Sequence, residues 1–427
     1  MASFDKPRHV KYWRRCFTSH LPSAYTANDS TRLTFAFFIV SALDLLAVPF
    51  TPEDRSAVRS WVLSLQHPDG GFCGSPTHGL SGQDATKGSA NLATTFFALL
   101  LLAVAAGTDN EASAAFAGVQ RRKLLRWVKK LQRQDGSFGQ VLWEHEAVGG
   151  RDTRHSYLAS AIRWMLWARE DTEDIDVESM VDHIRHTQTY DGGAAEVSEH
   201  ESHGMQDSAL LDPEQRLMKA AGYAYCAVAA LYMLDRPASS TVPHRSEAAH
   251  EGVPDRDALI HFLVHRQFNY LAKQEEEESD DGDANYVQAR LGDLSLTDRG
   301  PHVGFNGRWN KKADTCYCWW VSGTLAMVDS IHAVNIAPSR QYLLDVSQHR
   351  IGGFSKHAGG PPDLYHSYLG LAALALMGEA GLKEFDVGLC CSKETVRKIE
   401  LARAGLLGAK TSGFGDDGFW ESINRVV

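Results

Sequence analysis

The sequence predicts an all-α fold in which about six helical hairpins close into an α/α toroid, or barrel, around a central cavity. Three observations support this prediction: an internal repeat, a set of apolar helices rich in small residues, and the lack of any long stretch that alternates apolar and polar residues. An open helical solenoid is the main alternative, because periodicity does not show whether a row of hairpins closes into a ring.

One unit recurs along the chain: an amphipathic helix, a glutamine, and a glycine-containing turn that an aromatic residue usually follows. It reads WVLSLQHPDGGFCG at 61–74, WVKKLQRQDGSFGQ at 127–140, a weaker HIRHTQTYDGGAAE at 183–196, and YLLDVSQHRIGGFSK at 342–356. A further copy, FLVHRQFNY…HVGFNG, is split by an acidic insertion. The glycines suit the positive φ at which a helix ends and the chain reverses.

Apolar helices rich in alanine, glycine and serine lie between these turns, for example SYLASAIRWMLW and YHSYLGLAALALM. Small side chains allow close helix packing, as the inner ring of a toroid requires. The helices that carry the repeat, such as RRKLLRWVKKLQ, bear charges and fit an outer ring. Polar residues that start the inner helices are then expected to line one mouth of the cavity.

The whole chain, residues 1–427, is predicted to form this single domain. Residues 275–283, EEEESDDGD, hold seven acids in nine positions, so we interpret about 273–299 as a mobile, solvated insertion. Residues from about 385 to 427 are interpreted as a variable C-terminal tail. A terpene-cyclase acid motif is the alternative for the acidic run, but such an acid needs a buried setting.

Composition and charge exclude several classes of protein. A formal charge of −10 argues against nonspecific nucleic-acid binding, which needs a basic face. The N-terminal MASFDKPRHVKYWRRC lacks the apolar segment of a signal peptide. Apolar runs at 33–43 and 92–106 are shorter than the roughly 20 residues of a membrane span, so no transmembrane segment is predicted. Seven scattered cysteines form no disulfide framework, which favours a cytoplasmic protein.

A candidate metal site combines Asp314 and Cys316, two residues apart, with His366, fifty residues after Cys316. Carboxylate, thiolate and imidazole are all zinc ligands, and a three-ligand catalytic site leaves the fourth position open. By themselves, however, an Asp-x-Cys pair and a lone histidine are more typical of a buried structural cysteine and a satisfied core histidine. From the residue types alone, both interpretations remain open.

A candidate anion site consists of cations and a histidine near the predicted starts of inner helices: Arg154, His203, Arg308, Lys311 and Lys356. If the toroid brings them together, they suit a phosphate or diphosphate; considered singly, each is typical of a surface charge.

Aromatic residues near these positions either line an apolar tunnel or belong to an ordinary core: Phe37, Phe38, Tyr157, Trp319 and Trp320. An anion site, a thiophilic metal and an aromatic cavity together suggest a thiol that attacks the carbon of a lipid diphosphate.

The stretch GRWNKKADTCYCWW at 307–320, followed by YHSY at 365–368, resembles a motif of protein prenyltransferase β subunits. The similarity extends over most of the chain, through DGSFGQ, DTRHSY, ESHG and GGFSK, and is greatest to type I geranylgeranyltransferases. The resemblance implies an α/α toroid that works as a heterodimer with a separate prenyltransferase α subunit. It implies transfer of a geranylgeranyl group from geranylgeranyl diphosphate to the cysteine of CaaX-ending proteins such as small GTPases, with CaaL the expected ending.

The resemblance also assigns site residues. It implies one Zn²⁺ per β subunit, held by Asp314, Cys316 and His366, whose open position takes the substrate thiolate. The positions that match the diphosphate-binding residues of the family are His203, Arg308, Lys311 and Tyr317. The positions that match the lining of the isoprenoid cavity are Arg154, Tyr157 and Trp320.

Two positions distinguish the subfamilies. Thr34 stands where farnesyltransferase β subunits have a bulky tryptophan, which implies room for the longer geranylgeranyl chain. Lys356 stands where farnesyltransferases have an aspartate that helps to bind magnesium. A fixed ammonium can replace that ion, so we expect magnesium-independent turnover.

Near the site that selects the last CaaX residue, the chain departs from the family pattern. Asn91 stands where a histidine is expected, and Tyr365 where a smaller apolar residue is expected, so endings such as Met or Phe are alternatives to Leu. A farnesyltransferase β subunit, or an enzyme that uses both lipids, is the alternative function. A noncatalytic toroid that binds a lipid or a partner is a more remote one.

Overall fold

The computed structural model describes residues 2–80, 82–167, 172–198, 220–244, 247–270, 301–309 and 311–408. The helices in these ranges are α1 Lys6–Thr18, α2 Arg32–Leu45, α3 Pro52–Ser64, α4 Leu92–Val104, α5 Asp109–Ser113, α6 Arg121–Leu131, α7 Thr153–Leu166, α8 Val177–Arg185, α9 Ala221–Asp235, α10 Glu247–Gly252, α11 Arg256–Val264, α12 Thr315–Met327, α13 Ile336–Tyr342, α14 Leu364–Leu376 and α15 Lys393–Gly408. Shorter 3₁₀ segments lie at Ser23–Thr31, Gly82–Lys87 and Ile331–Ala333, and α13 continues into a π-helical turn at Leu343–Ser347.

The strands of the described chain form three short antiparallel pairs: β1 Val141–Trp143 with β2 Glu146–Val148, β3 Gln267–Asn269 with β4 Val303–Phe305, and β5 Phe385–Asp386 with β6 Cys391–Ser392. The β3–β4 pair matches Gln267 with Phe305 across the acidic insertion, which itself lies outside the described residues. The first repeat pairs Gln66 with Phe72 in the same way. The split repeat predicted from the sequence is therefore confirmed.

Six apolar helices form the inner ring: α2, α4, α7, α9, α12 and α14. Each packs against the next, and α14 packs against α2. Twelve of the fifteen residues of α9 are buried and five of these are alanines, so small side chains allow the close packing. Because α14 returns to α2, the ring is closed. The predicted toroid is confirmed, and the open solenoid is excluded.

Each repeat glutamine links one outer helix to the next. Gln132, which follows α6, donates from Nε2 to the carbonyl of Asp176 (2.7 Å) and accepts from its N–H (2.7 Å). Gln188, which follows α8, makes the same two bonds to Asp255 (2.7 and 2.8 Å). Asp176 and Asp255 are the N-caps of α8 and α11, so the glutamine positions the start of the following outer helix.

We call these paired hydrogen bonds the glutamine clips. Gln66 and Gln267 make corresponding bonds just before α6 and α13. Gln348 follows α13 and donates to the carbonyl of Ser3 while it accepts from the N–H of Asp5, the N-cap of α1 (both 3.3 Å). The Gln348 clip therefore ties the last repeat to α1, the first helix of the chain.

The repeat turns require glycine for two reasons: a side chain has no room there, and the backbone adopts a positive φ. A Cβ at Gly136 (φ +81°) would lie 1.9 Å from the carbonyl oxygen of Ser179 in the first turn of α8. A Cβ at Gly192 (φ +86°) would lie 2.1 Å from the carbonyl oxygen of Ala258 in α11. The turn thus rests directly on the backbone of the next outer helix.

Polar caps mark the mouth of the ring at which the inner helices begin. Asn91, Asp152, Asp314 and Asp363 cap α4, α7, α12 and α14, and each side chain accepts a hydrogen bond from the backbone of its own helix. Such caps satisfy N–H groups that a helix start leaves without partners. The side chain of Asn91 is thus engaged in capping.

The C-terminal segment covers the opposite end of the ring. The N–H of Lys383 donates to the carbonyl of Leu45 at the end of α2 (3.0 Å). Arg236, directly after α9, forms a buried two-point ion pair with Asp386 (2.9 and 2.6 Å).

Three inner-ring tyrosines hold this segment. Their hydroxyls donate to backbone carbonyls at 2.6–2.9 Å: Tyr157 to Gly388, Tyr225 to Val387 and Tyr368 to Cys390. Residues 385–408 of the predicted C-terminal tail thus form β5, β6 and α15, and residues 387–390 form a floor under the ring. Within the described chain, none of the helices combines the length and apolarity needed to cross a bilayer.

Candidate functional site

Asp314 and Cys316 occupy the start of α12. The carboxylate of Asp314 accepts a hydrogen bond from the N–H of Cys316 (2.9 Å). Residues outside the helix also fix its start. The N–H of Asp314 donates to the backbone carbonyl of Phe305 (2.9 Å), and the N–H of Thr315 donates to the backbone carbonyl of Lys356 (3.0 Å). Capping therefore places the carboxylate beside the thiol at the mouth of the ring.

His366 lies in the first turn of α14, the inner helix next to α12. Its Nε2 is 3.3 Å from Oδ1 of Asp314, and its Nδ1 is 2.6 Å from Oδ2 of Asp363. The donor atoms of Asp314, Cys316 and His366 all lie within 4.8 Å of one another. Helix packing thus brings together the three predicted ligands.

The protonation of this cluster reflects its burial and its neighbours. Burial opposes the charge of His366, but hydrogen bonds to Asp314 and Asp363 outweigh it and raise the pKa to about 9. Burial also opposes the charge of Asp314, yet hydrogen bonds with His366 and Cys316 hold its pKa below the usual value. Burial, reinforced by the Asp314 carboxylate, raises the pKa of the Cys316 thiol well above its usual value. A divalent cation would displace these protons on binding.

The donor set fits zinc. One oxygen, one sulfur and one nitrogen converge, and Asp314 and Cys316 are only 7% and 5% exposed. The second ring nitrogen of His366 is held by the Asp363 carboxylate, a common outer partner of metal-bound histidine. Three protein ligands leave one position open for a further ligand.

Three of the predicted cations lie near the start of α12. Lys356 places Nζ 3.9 Å from Oδ2 of Asp314, and its side chain is 54% exposed. Arg308 and Lys311 are exposed on the loop between β4 and α12. His203 lies outside the described residues.

Tyr317 and Arg154 lie on different inner helices, Tyr317 on α12 and Arg154 on α7. Tyr317 packs on the loop that carries Arg308, since a Cβ at Gly307 would lie 2.1 Å from the Tyr317 ring. Burial, with the nearby Cys316 and Asp314, raises the pKa of Tyr317 to about 12.

Arg154 lies in the first turn of α7, two inner helices from α12. Its Nε donates to the Asp152 carboxylate (2.7 Å), and its guanidinium lies 5.4 Å from the ring centre of Tyr223. The structure therefore places Arg154 at the mouth of the ring beside α9, whose first residue, Ala221, donates its N–H to the carbonyl of Gly307 (3.0 Å).

Aromatic side chains from all six inner helices make a continuous circle of contacts, which we call the aromatic belt. Its members are Phe37 and Phe38 of α2, Phe96 and Phe97 of α4, Tyr157 of α7, Tyr225 of α9, Trp320 of α12 and Tyr365 of α14. Ring centres of contacting pairs are 4.9–6.1 Å apart, and a hydrogen bond of 3.1 Å joins Trp320 Nε1 to the Tyr365 hydroxyl.

The belt is adjacent to the metal-ligand cluster. Trp320 lies one helical turn after Cys316, and Tyr365 directly precedes His366. Thr34 is partly buried in the first turn of α2, one turn before Phe38. The predicted apolar lining therefore lies next to the cluster, whereas Trp319 is fully buried behind the belt against Phe385.

Sequence reasoning missed several residues of this site. Asp363 was not singled out, although an acid three residues before His366 is the pattern of a helix N-cap. Phe96, Phe97 and Tyr225 carry no distinguishing signal, because aromatic residues on an apolar helix look alike whether they face a cavity or a core.

Comparison with known proteins identifies the family. The family model of the prenyltransferase α-α toroid domain matches residues 4–211 and 215–391. The chain belongs to the prenyltransferase α/α-toroid family. The geranylgeranyl transferase type-1 subunit beta of Arabidopsis thaliana is 30% identical to this prenyltransferase over 396 residues, which are 89% of this chain and 87% of that protein. The subunit of the same name from Dictyostelium discoideum is 26% identical over 421 residues, 93% of this chain and 97% of the other.

A solved structure agrees with the fold. The Candida albicans protein geranylgeranyltransferase-I complexed with GGPP superposes with a TM-score of 0.70 at 24% identity, and covers 93% of this chain and 98% of that one. The predicted α/α toroid and the predicted resemblance to prenyltransferase β subunits are thus confirmed. This prenyltransferase chain is an enzyme subunit of the β type.

Proposed function

We propose that this chain is the catalytic β subunit of a zinc-dependent, cytoplasmic protein geranylgeranyltransferase of type I. It transfers the geranylgeranyl group of geranylgeranyl diphosphate to the cysteine thiol of proteins that end in CaaX, with CaaL the expected ending and small GTPases among the substrates. The observation that carries the proposal is the cluster of Asp314, Cys316 and His366 at the edge of the aromatic belt. A prenyltransferase α subunit completes the heterodimer.

Asp314, Cys316 and His366 hold the zinc ion, which when bound keeps a coordinated cysteine sulfur deprotonated at neutral pH. The rest of the arrangement belongs to the chain itself. Asp363 holds Nδ1 of His366, so that Nε2 faces the other two ligands.

Positive charge beside this cluster serves the leaving group. Arg308 and Lys311, with Tyr317 packed on the same loop, stabilise the charge that develops on the departing diphosphate. His203 is assigned to the same task by resemblance alone. The ammonium of Lys356 lies at the cluster and replaces a magnesium ion.

The aromatic belt receives the isoprenoid. Tyr157 and Trp320 belong to it, and Arg154 lies at its rim on α7. The small side chain of Thr34, one turn from Phe38, leaves room for the longer lipid. An apolar wall also keeps water from the reacting carbon.

The proposal is tested with the purified heterodimer. We expect about one zinc per heterodimer by elemental analysis, and labelling of a CaaL peptide from geranylgeranyl diphosphate in preference to farnesyl diphosphate. Cys316→Ala should lose zinc and transfer, because one of three ligands is missing. Cys318→Ala is the matched control: this cysteine is buried on the same helix outside the cluster, so the variant should keep both.

Two results would contradict the proposal. Exclusive use of farnesyl diphosphate would indicate a farnesyltransferase. A protein without zinc, in which Cys316→Ala changes only stability, would indicate a noncatalytic toroid.

A further inference from the structure

Trp309 lies on the loop between β4 and α12, directly after Arg308 and two residues before Lys311. It is 57% exposed, so it is not a core residue. Its ring nevertheless has a fixed neighbour, because the guanidinium carbon of Arg266 lies 3.9 Å from the ring centre. Trp309 therefore stacks on a cation, between the two loop residues that are assigned to the diphosphate.

Arg266 is the buried partner in this contact. It lies fully buried directly before β3, and its Nε donates to the backbone carbonyl of Phe262 (3.3 Å), whose ring centre lies 4.9 Å from the guanidinium carbon. Within the described chain, Nη1 and Nη2 have no hydrogen-bond partner. Burial lowers the pKa of Arg266 to about 10, against the influence of Asp191, so the side chain is charged at neutral pH. A buried charge needs compensation, and the rings of Phe262 and Trp309 supply it here.

Arg266 also holds this loop through its backbone. We call residues 306–313 the Arg308 loop; within it, residue 310 lies outside the described residues. The N–H of Asn306 donates to the carbonyl of Arg266 (3.1 Å), and the side-chain Nδ2 of Asn306 donates to the carbonyl of Lys311 (3.0 Å). The stack with Trp309 adds a contact at the centre of the loop. Arg266 thus fixes the loop at its start and at its centre.

We propose that Trp309 and Arg266 are positioning residues for the diphosphate site, because their stack holds the Arg308 loop in the conformation that presents Arg308 and Lys311 to the anion. This inference rests on the proposed function. The pair acts through the loop and does not itself contact the diphosphate. A loop that is ordered before the anion arrives loses less conformational entropy on binding, so the same two cations bind the diphosphate more tightly.

The test uses the purified heterodimer and inorganic pyrophosphate, which probes the anion site without the lipid. Trp309→Ala removes the stack at an exposed position, so the variant should fold. We expect pyrophosphate inhibition of transfer to weaken by roughly five- to tenfold, as for the loss of a partly buried cation–π contact. The KM for geranylgeranyl diphosphate should rise as well. The KM for the CaaL peptide should stay unchanged, because the stack does not bear on the peptide.

Two further variants serve as controls. Trp309→Phe keeps an aromatic face for Arg266 and should recover most of the pyrophosphate affinity that Trp309→Ala loses. Trp143→Ala removes another exposed tryptophan, in β1 on the hairpin that precedes α7, and should leave pyrophosphate inhibition unchanged.

A double variant tests whether the stack acts through the loop cations. Arg308→Ala alone should weaken pyrophosphate inhibition. In that background, Trp309→Ala should cause a smaller further loss than it does in the unmodified enzyme, because one of the groups that the stack positions is already gone.

The outcomes separate this inference from the function on which it rests. If the unmodified enzyme transfers geranylgeranyl and is inhibited by pyrophosphate, but Trp309→Ala changes neither the inhibition nor the KM for geranylgeranyl diphosphate, the role of the stack is wrong and the function stands. Equal losses in Trp143→Ala and Trp309→Ala, or fully additive losses in the double variant, would also overturn the inference alone. An unmodified heterodimer that neither transfers the lipid nor responds to pyrophosphate would overturn the proposed function and the inference together.

Discussion

Asp363 accepts two hydrogen bonds from His366, one from the backbone N–H (2.9 Å) and one from Nδ1 of the ring (2.6 Å). The first caps α14 and the second orients a metal ligand. These tasks call for different chemistry, because a cap needs only an oxygen acceptor, whereas the outer partner of a metal-bound histidine works best with negative charge.

Asp363→Asn should separate the two tasks. Asparagine is also a good N-cap, so stability should change little, while the affinity for zinc should fall by roughly 10- to 100-fold with the loss of the carboxylate. Competition with a chromophoric chelator measures the affinity. Asp363→Ala should add a stability loss of about 1 kcal/mol from the missing cap. Equal zinc affinity in Asp363→Asn and the unmodified enzyme would mean that Asp363 serves only as a cap.

Lys356 combines a structural and an electrostatic role. Its backbone carbonyl accepts from Thr315 at the start of α12, and only its side chain reaches toward the Asp314 carboxylate. Lys356→Ala keeps the backbone contact and removes the charge. We expect a lower kcat that rises on addition of magnesium, whereas the unmodified enzyme should not respond. Steady-state kinetics over a magnesium series measures both, and a magnesium requirement in the unmodified enzyme would contradict the assignment.

At the scale of the elements, the outer helices are joined by the glutamine clips. In each clip, one glutamine side-chain amide bonds to a backbone N–H and to a backbone carbonyl, which belong to the same residue or to residues two apart. A neighbouring β-strand would offer the same pair of hydrogen bonds. A primary amide can donate from its NH₂ group and accept at its carbonyl oxygen, whereas a carboxylate can only accept, which explains why the repeat uses glutamine rather than glutamate.

Gln132→Ala should lower the free energy of unfolding by about 1 to 2 kcal/mol, because two hydrogen bonds to Asp176 are lost. Gln132→Glu should also destabilise, since a carboxylate cannot donate to the Asp176 carbonyl. Gln134, exposed in the same turn, provides the control, and Gln134→Ala should stay within about 0.5 kcal/mol of the unmodified protein. Denaturant titration measures all three, and equal losses for Gln132→Ala and Gln134→Ala would show that the clip contributes nothing.

At the scale of the whole molecule, the Gln348 clip joins the last repeat to α1, and His9 of α1 lies at this junction. It is fully buried and stacks between Phe4 and Phe354 (ring centres 5.0 and 4.9 Å). The N–H of Gly353 donates to its Nδ1 (3.1 Å), and its Nε2 bonds to Oε1 of Gln348 (3.0 Å). Nδ1 must therefore be an acceptor, so the folded protein requires neutral histidine.

This requirement makes the closed ring sensitive to acid. Burial lowers the pKa of His9 from 6.5 to about 4. Above pH 6.5 the histidine is neutral in both the folded and the unfolded chain, and its stabilising contacts are fully retained. Between pH 6.5 and about 4 the unfolded chain binds a proton that the folded chain does not, so stability falls with pH, by about 3 kcal/mol in total.

Denaturant titrations from pH 7 to pH 4 measure this dependence. His9→Gln should be less stable at pH 7 but should lose less stability on acidification than the unmodified protein. His20, which is exposed, gives the control, and His20→Gln should keep the original pH dependence. Identical acid sensitivity in His9→Gln and the unmodified protein would contradict the prediction.

The sequence by itself determined the kind of element and its orientation. The recurring helix, glutamine and glycine turn, together with apolar helices rich in small residues, predicted an all-α fold of inner and outer helices, and Gln267 was matched to its repeat across a long insertion. The motif around Asp314 and Cys316 indicated a metal site. These features are local, because helical periodicity and turn chemistry depend on residues that are near one another in the chain.

Only the tertiary structure decided which elements meet. Closure of the ring depends on α14 packing against α2, and the periodicity of a helix shows which face is apolar but not which helix covers it. The same packing brings His366 to Cys316, and it joins Tyr365 to Trp320 by a hydrogen bond. In the sequence, an aromatic residue in a core cannot be distinguished from one that lines a cavity. Its role can be assigned only once the residues that contact it in the folded ring are known.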